Sequence, residues 1–337
     1  MDFTVCVCVR DGAEHVDRCM GALLAEADSG SFSILVVDHA SRDQTPALLA
    51  AWCRRHPEGL RVARFSGEGV GATRDFAWRQ TATQWVGFVD VDCVLRPRWG
   101  QAVADGIAAH ATDDRCGAFA GSNHVPQEGN WLRRACALFL PTYVGGHGSL
   151  LNRPAEDTRA VEHCPTLNVV YRRSALEAIG GFDADYTGVA EDLDLSRRLR
   201  GAGYTLWSNP AMAIEHAQRA TFASWLRNMF LYGRGRCFYL KRHPEDFHAK
   251  FLAPAVVVAV YLLAAMIDVG TARAFWLPAV AIAHGLSVGA LLLPEAYRQR
   301  SSATTWMTAT SMVALTHLAY GAGLLAELPR SRHRFKL

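Results

Sequence analysis

The sequence predicts an α/β fold, a mostly parallel doubly wound sheet, followed by C-terminal apolar helices able to cross a membrane. Three observations predict it. β-rich and helix-patterned runs alternate from the start, carboxylates stand at the ends of several strands, and beyond about residue 250 mixed polarity gives way to long apolar stretches. "FTVCVCVR" (3–10) reads as the first strand, and "AEHVDRCMGALLAEA" (13–27) as a helix with apolar spacing at Val16, Met20, Leu23 and Leu24. "FSILVVDHAS" (32–41) is a second strand ending in Asp38, and Thr45 before Pro46 opens a helix over 45–55. "LRVARFSG" (60–67) is a third strand, and "GVGATRDFAWRQTA" (69–82) is a Gly-rich entry into a helix. In "VGFVDVDCVL" (86–95), Val86, Phe88 and Val89 form a buried strand, and Asp90 and Asp92 sit where it leaves the core.

The 337 residues are 50% hydrophobic, enough for more than one buried unit. A net charge of only +3 gives no support to nucleic-acid binding, which calls for a concentrated basic stripe. Nine cysteines lack metal-ligand spacing, and nothing at the start reads as a signal peptide, so they are expected to be reduced, buried small hydrophobes. The stretch 121–165, rich in Gly, Asn, Pro and His, reads as a loop-rich insertion suited to acceptor selection.

Past it, "LNVVYRRSALEAIGGFD" predicts a strand and then a short helix from Ser174, stopped by Gly180 and Gly181. "EDLDLSRRLRGAG" starts another helix with Glu191, Asp192 and Asp194 in its first turn, where the helix dipole favours negative charge whatever else those residues do. In open α/β sheets ligands bind beyond the carboxyl ends of the strands. Asp38, Asp90 and Asp92 all belong there. A D-x-D turn offers oxygen donors to a hard divalent cation and leaves positions open for diphosphate oxygens, although a lone triplet also suits a solvated strand end.

In this order, "VVDHASRDQT", "GATRDFAW", "FVDVD", "NVVYRRSALEAIGGFD" and "EDLDLSRRLRGAGY" resemble the family 2 glycosyltransferases of the GT-A fold, over roughly residues 3–240. The C-terminal part resembles their membrane-associated, succinoglycan-type exopolysaccharide branch, with "YGRGRCFYLKRHP" (232–244) and "HLAYGAGLL" (317–325) as familiar segments. The resemblance implies transfer of a sugar from a nucleotide diphosphate to an acceptor, with inversion. Asp38 matches the nucleobase contact. Asp90 and Asp92 match the pair that holds the ribose and, through Mg²⁺ or Mn²⁺, the diphosphate. Glu191 and Asp192 match the E-D motif, with Asp192 as catalytic base. Arg74 is a candidate phosphate contact or a surface helix residue, Arg234 or Arg236 a contact to diphosphate or lipid phosphate, and His216 a metal ligand or a structural histidine. Asn168 is either a sugar contact or a buried, backbone-paired residue. His39 stands where the family often has a second aspartate, and Asp75 where it commonly has Asn. No Q-x-x-R-W follows the E-D motif, which favours one sugar added per acceptor.

The expected layout is a catalytic domain over 1–222, an interfacial helix and linker over 223–250, two or three membrane helices over 251–328 and a basic tail over 329–337. The catalytic domain is expected to face the cytosol from the inner membrane, where nucleotide sugars are made. The charges conflict with three crossings, which would put the basic tail outside, so either the last apolar stretch is re-entrant or interfacial or the positive-inside tendency is broken. The expected donor is a UDP- or GDP-sugar and the acceptor a lipid-linked or polysaccharide chain. Rival readings are a polyprenyl-phosphate sugar synthase, a nucleotidyltransferase, which leaves the E-D helix without a purpose, and a non-catalytic nucleotide-sugar-binding membrane protein.

Overall fold

In a computed structural model, residues 3–30, 32–126, 129–146, 157–216 and 221–336 are described. The chain divides into two compact units, Met1–His124 with Ser149–Ala217, and Val125–Gly148 with Gln218–Leu337.

The first unit is a mixed sheet with helices on its faces. Its elements are β1 (Phe3–Val9), α1 (Ala13–Gly30), β2 (Ser33–Asp38), α2 (Thr45–Arg55), β3 (Leu60–Arg64), α3 (Val70–Arg79), β4 (Trp85–Val89), β5 (Cys93–Leu95), α4 (Trp99–Ala109) and β6 (Cys116–His124). The strand order is β3-β2-β1-β4-β8-β6-β9-β5, where β7 (Ala160–Val161) pairs with β9 (Thr205–His216) and β8 is Asn168–Arg172. The pairings run β1, β2, β3, β4, β6 and β9 one way and β5, β7 and β8 the other. The apolar runs become the central strands because both faces are covered: Val5, Val7, Val36, Val86 and Val169 are fully buried. The nine cysteines are free thiols, and burial pushes Cys8 and Cys116 up to about 12, as expected of small core residues.

Helix α7 (Arg173–Ala178) ends at Gly180 and Gly181, both with positive φ (77° and 81°), a backbone that a side chain would strain. Two arginines at its start, Arg172 closing β8 and Arg173 opening α7, are scaffold. Arg172 stacks on Trp85 and donates to the Cys116, His110 and Asp113 carbonyls, and Arg173 ties β8 to Thr81 and Thr83.

The second unit holds α5 (Trp131–Phe139), α6 (Tyr143–Gly146), α9 (Phe222–Arg242), α10 (Ala253–Thr271), α11 (Trp276–Arg298) and α12 (Ala303–Glu327). Part of the expected loop-rich insertion is thus helical. Its residues 127–128 and 147–156 lie outside the described residues. Asn130 caps α5, and Leu132, Cys136 and Phe139 on one face pack with Trp225, Leu292 and Met312. The helices α10, α11 and α12 are long and apolar enough to cross a membrane.

Candidate functional site

Register brings the acidic residues to one rim of the first unit. Val9, at the end of β1, pairs with Asp38 on β2, and Cys6 pairs with Phe88 on β4. Continuing that register puts Asp90 level with Cys8, so Asp38 and Asp90 flank the end of β1 about two strand spacings, or ~10 Å, apart. Asp38 is buried and accepts from the Ser41 N–H at 3.1 Å. His39 does not leave a gap where a second acid would stand. Its ring bonds the Gly67 carbonyl at 2.8 Å and Thr73 Oγ1 at 3.1 Å, which ties the end of β2 to the start of α3.

Arg74 is the hinge of the arrangement. It is a buried residue of α3, and its guanidinium donates to Asp90 Oδ1 at 2.8 Å and to Glu191 Oε1. One side chain therefore joins the D-x-D turn after β4 to the head of α8 (Glu191–Gly201). Glu191 is not an ordinary helix cap. It is buried, and burial lifts its carboxyl to about 7 against the opposing pull of Arg74. Asp194 and Arg198, paired at 2.7 Å one turn apart, are the conventional helix pair of this segment.

Asp192 turns elsewhere. Its Oδ1 accepts from the Leu193 N–H at 2.8 Å, and its Oδ2 lies 3.3 Å from His163 Nε2. Burial opposes its charge, but His163 first, then Arg74 and the Leu193 N–H, bring it below the ordinary carboxylate range. His163 is absent from the reading of the sequence. It lies outside every motif, and only the fold carries the segment before β8 to the head of α8.

Asp92 Oδ2 lies 3.4 Å from His216 Nε2. The antiparallel pairing of β5 with β9 sets Cys93 opposite His216 and so brings the imidazole to the D-x-D turn. Asp92, Cys93 and His216 are the one group of three His, Cys, Asp or Glu side chains among the described residues with ligand atoms within 4.8 Å of one another. Burial, then Asp92 and Asp90, hold the Cys93 thiol well above its ordinary value. The carboxylates and the imidazole are the donors that suit a hard or borderline divalent cation.

Asn168 is internal scaffold, accepting from Trp99 Nε1 at 3.0 Å and donating to the Met212 carbonyl at 2.8 Å. Asp75 accepts from Trp78, Arg79 and the Phe182 N–H, holding α3 to the turn after α7. Arg234 and Arg236 belong to the second unit. Arg234 is buried against Glu327 at 2.8 Å and the Lys336 carbonyl, whereas Arg236 lies over the Phe251 ring, its Nε without a hydrogen-bond partner among the described residues.

A parallel-cored sheet with acidic turns at its carboxyl rim and a carboxylate-headed helix joined to them is a GT-A-type architecture. The family model for glycosyl transferase family 2 matches residues 4–180, and the chain belongs to that family. A second model, glycosyl transferase family 21, matches residues 155–321. Among curated proteins the chain is similar to a pre-mycofactocin glycosyltransferase of Mycobacterium tuberculosis, 26% identical over 278 residues, covering 80% of this chain and 53% of that protein. It is also similar to the succinoglycan biosynthesis protein ExoA of Rhizobium meliloti, 28% identical over 170 residues, 50% of this chain and 48% of the relative. The chain thus spans about half the length of the curated relatives it matches. Among solved structures, a mannosyltransferase of Pyrobaculum calidifontis in complex with GDP-Man and Mn²⁺ aligns with a TM-score of 0.58 at 18% identity, over 98% of this chain and 88% of that one. GalNAc-T7 with UDP, GalNAc and Mn²⁺ aligns with a TM-score of 0.51 at 13% identity, over 73% of this chain and 51% of that one.

Proposed function

We propose that this chain transfers one sugar from a nucleotide diphosphate sugar, UDP- or GDP-linked, to a lipid-linked or polysaccharide acceptor, with inversion and with Mg²⁺ or Mn²⁺. The observation that carries the proposal is the Arg74 bridge, which joins the D-x-D turn and the E-D helix head in one acidic rim. The GT-A-like structures solved with GDP-Man and Mn²⁺, and with UDP, GalNAc and Mn²⁺, support the donor class.

In this reading Asp38 meets the nucleobase and Asp90 the ribose side of the donor. Asp90, Asp92 and His216 hold the cation, which supplies positive charge against the departing diphosphate. Arg74 fixes Asp90 and adds a permanent positive charge beside it. Glu191 keeps that guanidinium in place, so its role is inseparable from that of Arg74. Asp192 accepts the proton of the acceptor hydroxyl as the new bond forms, and His163 orients the carboxylate. In the second unit Arg236 is the candidate phosphate contact, since Arg234 is paired with Glu327.

The domain layout, an inner-membrane location and a cytosolic catalytic domain belong to the same proposal. The apolar helices suit a chain held at a bilayer, where a lipid-borne acceptor resides. A donor screen tests it: nucleoside diphosphate release from a panel of nucleotide sugars, with membranes and Mn²⁺ or Mg²⁺. Release from one donor well above an Asp92→Ala control supports the reading. No release above that control from any donor overturns it.

A further inference from the structure

We infer that the chain enters the bilayer through α10 and α11 alone, as a two-crossing hairpin, and that α12 and the C-terminal tail stay on the side from which α10 sets out. This extends the membrane part of the reading above and depends on it, but not on catalysis.

If α10, α11 and α12 each crossed, the start of α10 and the end of α12 would be separated by about 30 Å of hydrocarbon. The structure puts them together. Gly321, late in α12, has no room for a side chain because the carbonyl of Pro254, in the first turn of α10, fills that space. Lys241, near the end of α9, donates to the carbonyls of Glu327 and Arg330, the latter at 2.9 Å, and Arg242 reaches the His333 carbonyl at 3.3 Å. The end of α9, the start of α10, the end of α12 and the tail therefore form one cluster on one side.

The course of α12 agrees. It runs parallel to α9, with Trp225 Nε1 on Thr316 Oγ1 at 2.9 Å and Arg234 on Glu327 at 2.8 Å, at sequence offsets of 91 and 93. The glycines of "YGRGR" and "YGAGLL" allow this approach. A side chain at Gly233 would strike the Tyr320 carbonyl, and one at Gly323 the Phe230 carbonyl. Helix α9 carries Arg227, Arg234, Arg236, Lys241 and Arg242, and the buried Arg234–Glu327 pair lies at its contact with α12. Such a pair needs protein around it, not acyl chains. Burial divides the three helices in the same way: 39% of the apolar window of α12 is enclosed, against 11% for α10 and 17% for α11. Val256, Leu262, Met266 and Val269 of α10, with Ile282 and Leu286 of α11, are exposed and suit acyl chains as their partner.

The arrangement also removes the charge conflict. Lys241, Arg242 and Lys250 before α10, Arg298 at the end of α11, Arg300 before α12, and Arg330, Arg332, Arg334 and Lys336 in the tail all share one side. Only Arg273, in the α10–α11 turn, lies on the other, as the positive-inside rule requires.

Topology reporters on the whole 337-residue chain test this. Alkaline phosphatase and green fluorescent protein are placed in turn at residues 248–249, at 272–273 and after Leu337. The first and third sites should give the same sign and the 272–273 site the opposite. Short epitope tags at the same sites, probed before and after permeabilisation, repeat the reading where a large insertion disturbs folding. A tail that reports with the 272–273 site, or three sites that report alike, overturns the inference, and neither result bears on sugar transfer.

Discussion

Asp192 and Glu191 are neighbours with opposite tendencies, and the cause lies in what each touches. Glu191 faces Arg74 inside the unit, where burial dominates, while Asp192 faces His163 and the Leu193 N–H, which stabilise its charge. In its proposed role as base, an Asp192 kept ionised is ready across the neutral range. Replacing Asp192 with Asn should therefore lower kcat by about 10²- to 10⁴-fold with little change in donor binding. Abundant retained activity would instead point to an acceptor phosphate, which needs little base help. The sign of the pH effect follows from the same contacts. A carboxyl held below its unfolded value favours the folded state above that value, and the benefit fades as pH falls through the folded pKa. Removing the imidazole, as in His163→Ala, lets the Asp192 pKa rise, so the acid limb of the kcat/KM profile should move to higher pH. An unmoved limb with reduced kcat would show that His163 does not tune the base. Arg74→Met should be costlier to the fold. It leaves Glu191 buried without its partner, a loss of about 3–5 kcal/mol by analogy with broken buried pairs, read as a fall in Tm.

At the scale of elements, the periodic pattern made the central strands and most helices legible. β4 ends at Val89, so Asp90 and Asp92 stand in the turn beyond it. Less was legible where an element is short or its partner is remote. β5 has three residues, and nothing in "CVL" announces that β9 will set His216 against Cys93. Helix α5 was hidden among Gly, Asn and Pro, because its apolar face has meaning only against Trp225, Leu292 and Met312. His163 had no local signal at all. The glycines of "YGRGR" and "YGAGLL" stood out as segments, but that they belong to each other is a fact of packing. The α9–α12 contact then yields a contrast between two variants. Glu327→Gln weakens the partner of buried Arg234 and should lower stability, whereas the paired change Arg234→Met with Glu327→Leu should be nearly neutral. Thermal unfolding in detergent reads both, and a double variant as damaged as the single one would assign the loss to packing and not to charge.

For the whole molecule, the sequence showed that soluble and membrane-like composition meet near residue 250, while the structure shows that compactness divides the chain differently. Val125–Gly148 groups with the C-terminal helices although it interrupts the first unit in sequence. The long-range order of the sheet has the same origin: β8 sits between β4 and β6, a position fixed by non-local pairing. One exposed feature among the described residues is apolar. Leu262, Leu263, Met266 and Val269 are 54–83% exposed on α10, and Trp276, Ile282 and Leu286 continue the surface on α11. Exposed apolar side chains in such number are unfavourable in water, and burial in hydrocarbon contributes roughly 25 cal/mol per Å² of apolar surface. A basic segment at a bilayer surface adds only a salt-sensitive attraction to anionic headgroups. The two forces separate in a fractionation experiment: the protein should stay with membranes through 1 M salt and alkaline carbonate and leave only with detergent. Substituting Asp for Leu263, Met266 and Leu286 should move it to the carbonate-soluble fraction, while neutralising Arg330, Arg332 and Arg334 should not. Release of the unmodified protein by salt alone would mean that charge, and not the exposed apolar face, holds it at the bilayer.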